Sequence, residues 1–256
     1  MLIFAKNILI YRRKKMKKHI PNIITLLNLS SGFIAILLAT QGHLDYAAYF
    51  VFAGIVFDFF DGFAARILKV PSELGLQLDS LADMVTSGVV PGIVLFILLH
   101  NADADWNIMQ YISFEKGISF TPFTGLLLTL GAAYRLAKFN VDERQDHDFI
   151  GLPTPAVAVF VLSLPLISLY GNFEWAMHLV KDSYFLLATG IIGTLLMNSE
   201  IPMFSLKFYN YSLKENWITY LFIALSILLL IAFQIVGIPM IIILYILLSF
   251  AYNLFR

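Results

Sequence analysis

A chain of 256 residues with 59% hydrophobic and only 13% charged side chains is not an ordinary water-soluble domain, in which about a quarter of residues carry charge. A mean hydropathy of +0.81, with apolar runs near spanning length, places it in a lipid bilayer. Net charge is zero, so nothing points to nucleic acid as a partner, and the lack of cysteine excludes disulfides and thiolate metal sites.

Residues 1–21 form a basic segment that opens MLIFAKNILIYRRKKMKKHI. Its apolar run precedes the basic cluster and no small-residue cleavage site follows, the reverse of a signal peptide. It reads either as an interfacial segment drawn to anionic lipid or as an upstream extension of a start at Met16; the second is favoured. Residues 22–256 read as one all-α membrane domain, a polytopic bundle of about eight helices. The predicted spans are 23–40, 45–63, 80–100, 118–138, 154–171, 183–200, 217–235 and 237–254. Pro165 predicts a kink in the fifth, and Gly237 with Pro239 a tight turn between the last two. Trp106, Trp175 and Trp217 near helix ends read as interface anchors. With a cytoplasmic N-terminus, fifteen of the seventeen lysines and arginines face the cytoplasm and only Lys116 and Lys181 face outward. That asymmetry predicts both termini inside the cytoplasmic membrane.

The most informative segment is DFFDGFAARILKVPSELGLQLDSLAD, residues 58–83. It follows D-x2-D-G-x2-A-R-x8-G-x3-D-x3-D, filled by Asp58, Asp61, Gly62, Ala65, Arg66, Gly75, Asp79 and Asp83. An ionised group at membrane depth costs roughly 2.5 to 3.5 kcal/mol, so it marks function by default. The spacings of three and four put each aspartate pair on one helix face, and the hairpin between the helices brings the pairs together. Converging carboxylates suit Mg2+ or Mn2+, and two such ions would clamp a diphosphate. Gly62 and Gly75 admit a ligand close to the backbone, Ala65 less completely. Arg66 is suited to phosphate or to steadying a carboxylate. The plain structural reading, that these are helix caps or surface aspartates, covers Asp79 alone but not all four.

This pattern resembles the signature of the CDP-alcohol phosphotransferases at all eight positions. The resemblance implies an integral membrane enzyme that moves a substituted phosphate from a CDP-linked donor to an alcohol and releases CMP. It implies that Asp58, Asp61 and Asp79 hold metal, and that Asp83 takes the acceptor's proton and is also near the ions. It puts Gly62, Ala65, Arg66 and Gly75 in the CDP pocket and favours nucleotide or phosphate contact for Asn22 and Thr25. The two share a face of the first helix with Asn28, where capping and helix-to-helix hydrogen bonding are the plainer readings.

Three further segments resemble bacterial membrane-type phosphatidylserine synthases: IPNIITLLNLSSGFIA at 20–35, DSLADMVTSGVVPG at 79–92, and YRLAKFNV with FIGLPTPA at 134–141 and 149–156. That resemblance implies CDP-diacylglycerol and L-serine as substrates, and a homodimer as the common assembly. Serine's carboxylate needs a cation, which Arg135 and Lys138 would supply, with Asn140 orienting either end and Arg144 nearby. Lys138 stands where relatives often carry arginine, keeping the charge but not the fork. Positive-inside anchoring is the alternative for all three cations. Glycerol-3-phosphate or inositol phosphate as acceptor, a cation transporter and a silent scaffold remain the rival readings.

Overall fold

A computed structural model describes residues 17, 19–102, 121–142, 149–204, 206, 212–214 and 216–254. The basic segment before residue 17, together with Trp106, Lys116 and Arg144, lies outside the described residues. The chain is all-α. Among the described residues the helices are α1 (His19–Thr40), α2 (Leu44–Ile67), α3 (Glu73–Asp83), α4 (Val90–Ala102) and α5 (Thr124–Val141), then α6 (Thr154–Tyr170), a short α7 (Glu174–Leu179), α8 (Ser183–Asn198), α9 (Trp217–Phe233) and α10 (Gly237–Leu254). Two-residue strands β1 (Phe149–Ile150) and β2 (Pro202–Met203) pair antiparallel, with Phe149 opposite Met203.

Among the described residues each predicted apolar stretch coincides with a helix, but four segments are long and apolar enough to cross a membrane: His19–Thr40, Leu44–Ile67, Glu73–Ala102 and Trp217–Leu254. The last contains both α9 and α10, separated by a 3-10 turn at Gln234–Val236. Helices α6 and α8 are apolar but shorter, and α5 carries Arg135 and Lys138. Helix α6 runs through Pro165 without a break. Trp175 and Trp217 are both 54% exposed.

Two helix starts differ from expectation. The third begins at Glu73 rather than at 80, because Ser72 adopts an extended backbone and its Oγ accepts from the Gly75 N–H at 3.1 Å. That hydroxyl satisfies a donor the first turn leaves open. Asp79 is therefore within the helix and caps nothing. The first helix begins at His19, so Asn22 lies inside its opening turns.

Small residues bring α1 and α2 together. Ala35, Ala39, Ala47, Ala48 and Val51 are essentially inaccessible, as expected where helices associate by close van der Waals contact. A Cβ on Gly32 would lie 2.7 Å from Thr86 Cγ2, and one on Gly54 would lie 2.9 Å from Asn28 Oδ1. Between α3 and α4 the helix widens into a π-helical turn, Met84–Val89, where the Val90 N–H donates to Val85 O, five residues back. Such turns often sit at functional sites. Thr129 Oγ1 from α5 donates to Gly88 O at 3.1 Å within it. Helix α6 is the most enclosed, with ten of its seventeen residues buried. It packs against α2, α4 and α10, so the core lies beside the face that carries the aspartates.

Candidate active site

The turn after α2 reverses the chain within five residues, 68–72. Val70 N–H donates to Ala65 O, and Lys69 takes a left-handed conformation at φ 54°. The end of α2 thereby meets α3. Carboxylate oxygens of Asp58, Asp61 and Asp79 lie within 4.8 Å of one another. At that separation two like charges repel by about 3 kcal/mol for an effective dielectric near 20. The cluster also contains a buried acceptor, Asp79 Oδ1, with no hydrogen-bond partner among the described residues. A close, oxygen-only donor set of this kind fits a hard divalent cation.

Helix α1 supports both carboxylate pairs. Thr25 Oγ1 donates to Asp61 Oδ2 at 2.5 Å, with both residues buried. One turn further on, Asn28 Nδ2 donates to Asp83 Oδ1 at 3.1 Å. Thr25 thus touches the acidic centre itself, and Asn28 holds the fourth aspartate.

Two cavities share Asp79. The smaller, about 200 Å³, is lined by Asn22, Thr25, Asp61, Gly62, Ala65, Gly75 and Asp79 together with residues of the 70–72 turn. The larger, about 650 Å³, is lined by Asp58, Asp79, Asp83, Arg135, Asn140, Thr154 and Tyr245 among others. Asn140 Nδ2 donates to Ser80 Oγ at 2.9 Å, tying α5 to α3 beside Asp79. Arg135 is only 8% exposed. Its terminal nitrogens make long contacts, 3.4 Å to Thr154 Oγ1 and 3.5 Å to Gly151 O, and its Nε has no partner among the described residues. A permanently charged, weakly engaged guanidinium therefore lines the same cavity as Asp58, Asp79 and Asp83.

The remaining expected residues lie elsewhere. Lys138 pairs with Glu200 at 2.5 Å and lines neither cavity. Arg66 is exposed, and its Nε donates to Gly62 O one turn back at 3.1 Å. Sequence reasoning passed over Ser80, Thr154 and Tyr245. Only Tyr245 had a signal, a tyrosine in the middle of the otherwise apolar run IPMIIILYILL.

The fold and site define a helical membrane protein with an acidic, cation-fitting centre between two cavities. Residues 18–194 match the family model described as CDP-alcohol phosphatidyltransferase, and the chain belongs to that family. It is 33% identical over 150 residues to the CDP-diacylglycerol–serine O-phosphatidyltransferase of Bacillus subtilis (strain 168), covering 57% of this chain and 75% of the relative. It is 30% identical over 172 residues to the archaetidylserine synthase of Methanothermobacter thermautotrophicus, 66% of this chain and 67% of the relative. A CDP-diacylglycerol–serine O-phosphatidyltransferase from Helicobacter pylori (strain 26695) is 28% identical over 220 residues, 83% of this chain and 81% of the relative.

Proposed function

We propose that the protein transfers the phosphatidyl group of CDP-diacylglycerol to the hydroxyl of L-serine, giving phosphatidylserine and CMP. The observation that carries this reading is the pair of cavities meeting at Asp79, one for the donor and one for the acceptor. Asp58, Asp61 and Asp79, with Asp83 beside them, would hold Mg2+ or Mn2+, as a pair of ions. When bound, the metal disperses the negative charge of the diphosphate. The small residues Gly62, Ala65 and Gly75, with Asn22 and Thr25, let the CDP head approach the helices closely, and Arg66 would meet its phosphates from the exposed end of α2. Arg135 receives the serine carboxylate, and Asn140 orients the amino acid. Asp83 accepts the hydroxyl proton as the serine oxygen bonds to the phosphorus that carries the diacylglycerol. The bond from that phosphorus to the CMP oxygen breaks.

Residues 22–256 would form one membrane domain with eight spans in the cytoplasmic membrane, both termini and the site facing the cytoplasm, and the protein a homodimer. The diacyl tails remain in lipid while polar groups line a hydrated cavity. A single weakly engaged arginine suits a carboxylate better than the dianion of glycerol-3-phosphate or inositol phosphate, which calls for several cations.

The test is CMP release by the purified protein with CDP-diacylglycerol, Mn2+ or Mg2+, and serine, glycerol-3-phosphate or inositol phosphate in parallel. Phosphatidylserine and CMP appearing with serine alone are expected. Turnover with another acceptor would keep the family and overturn the acceptor. Metal-independent turnover would overturn the role given to the aspartates.

A further inference from the structure

The family match ends at residue 194, yet the wall of the larger cavity includes Leu206 and Tyr245. Tyr245 lies in α10 and is 6% exposed. Its hydroxyl donates to Phe204 O at 3.0 Å, and its ring meets Phe204 edge-on with centroids 4.9 Å apart. A second tie from the same helix, Asn253 Nδ2 to Pro202 O at 2.6 Å, holds the strand just before. That strand pairs with β1, and the Gly151 N–H that follows β1 donates to Ile201 O at 2.9 Å. Gly151 is also the residue whose carbonyl accepts from Arg135. Its left-handed backbone, φ 74°, and the 2.6 Å separation an added Cβ would have from Met197 O leave this segment little freedom. A continuous mechanical path thus runs from α10, through 202–204 and 149–151, to the guanidinium.

We propose that the C-terminal helix pair builds the acceptor end of the cavity, and that Tyr245 is a positioning and specificity-determining residue for the acceptor. The inference rests on the serine-transfer reading above. Because the hydroxyl is engaged by Phe204, the ring is the surface that bounds the acceptor space. The same ring fixes the 202–204 segment, and through it the two oxygens, Gly151 O and Thr154 Oγ1, that aim Arg135. Donor binding lies on the other side of Asp79 and does not depend on this path.

The test compares full-length wild type with Tyr245→Ala, Tyr245→Leu and Tyr245→Phe, with thermal midpoints in detergent recorded for each. Leu248→Ala is the packing control, since Leu248 lies on the same helix and packs against the core but does not line the cavity. Loss of the ring should raise the serine KM about tenfold or more, as small displacements of a positioning group do, and leave the KM for CDP-diacylglycerol within about twofold. Tyr245→Phe keeps the wall and should recover most of the serine affinity, and Leu248→Ala should leave the ratio of the two KM values unchanged. If Tyr245→Ala does not fold, Tyr245→Leu carries the same expectation. An unmoved serine KM, or equal losses for both substrates, overturns the inference while leaving serine transfer standing. A wild type that releases no CMP with serine overturns both.

Discussion

Removing the Thr25 hydroxyl tests whether α1 sets the affinity of the acidic centre. In Thr25→Val the β-branched shape persists in the helix, but Asp61 loses a buried donor 2.5 Å from its Oδ2. Thr25 is 2% exposed, so water has little room to replace it. A hydrogen bond to a charged acceptor contributes about 1.5 to 3 kcal/mol, and each 1.4 kcal/mol is about a factor of ten in affinity. The expected loss is about ten- to hundredfold in Mn2+ affinity, the range found when a partner behind a metal ligand is removed. Titration of Mn2+ into purified protein, followed by electron paramagnetic resonance of the free ion, measures it directly. The Mn2+ concentration giving half-maximal CMP release should rise in parallel, while turnover at saturating Mn2+ stays within a few-fold. Thr25→Ser should restore the wild-type curve. Superimposable titrations for wild type and Thr25→Val would refute the argument, because the bond would then contribute nothing to holding the ion.

Three other substitutions separate the roles of neighbouring groups. Asp83→Asn should lower kcat by about two to four orders of magnitude, the usual worth of a general base, while Mn2+ affinity and donor KM suffer far less than turnover; normal turnover would dismiss Asp83 as the base. Gly54→Ala places a methyl 2.9 Å from Asn28 Oδ1 and should destabilise the protein by about 1 to 3 kcal/mol, lowering both the thermal midpoint and kcat; an unchanged kcat would mean that the Asn28–Asp83 bond is dispensable. Lys138→Gln breaks a pair in which Glu200 is 60% exposed, a contact worth up to about 1 kcal/mol, so the serine KM should stay within about twofold. A tenfold rise would return Lys138 to the acceptor site.

The aspartate pairs were legible because helical spacing and a short connection are local properties, readable without knowing how helices cross. The start of α3 was not. Its opening turns, ELGLQLD, alternate apolar and polar residues, so an apolar-run criterion passes over them, whereas Ser72 as a cap marks them. Thr25 and Asn28 could be placed on a face but not assigned, since their targets depend on how α1 crosses α2 and α3. The partners of Lys138 and Tyr245, Glu200 and Phe204, lie 62 and 41 residues away. Nothing in the local pattern selects them. Serine's need for a cation read Lys138 as available to substrate, with positive-inside anchoring the alternative, because charge and spacing do not register the acid, Glu200, that engages it.

The π turn between α3 and α4 behaves as a one-residue spacer in an otherwise regular rod. An α-helix advances about 100° per residue, so winding all six residues of Met84–Val89 as ordinary α turns, with none removed, would swing α3 by about that angle relative to α4. Asp79 and Asp83 would then point away from Asp58 and Asp61, with every aspartate still present and the eight-position signature intact. The carboxylates alone therefore do not define the centre, and whether 84–89 winds as a wide turn is as informative a marker of a working site as the aspartates themselves.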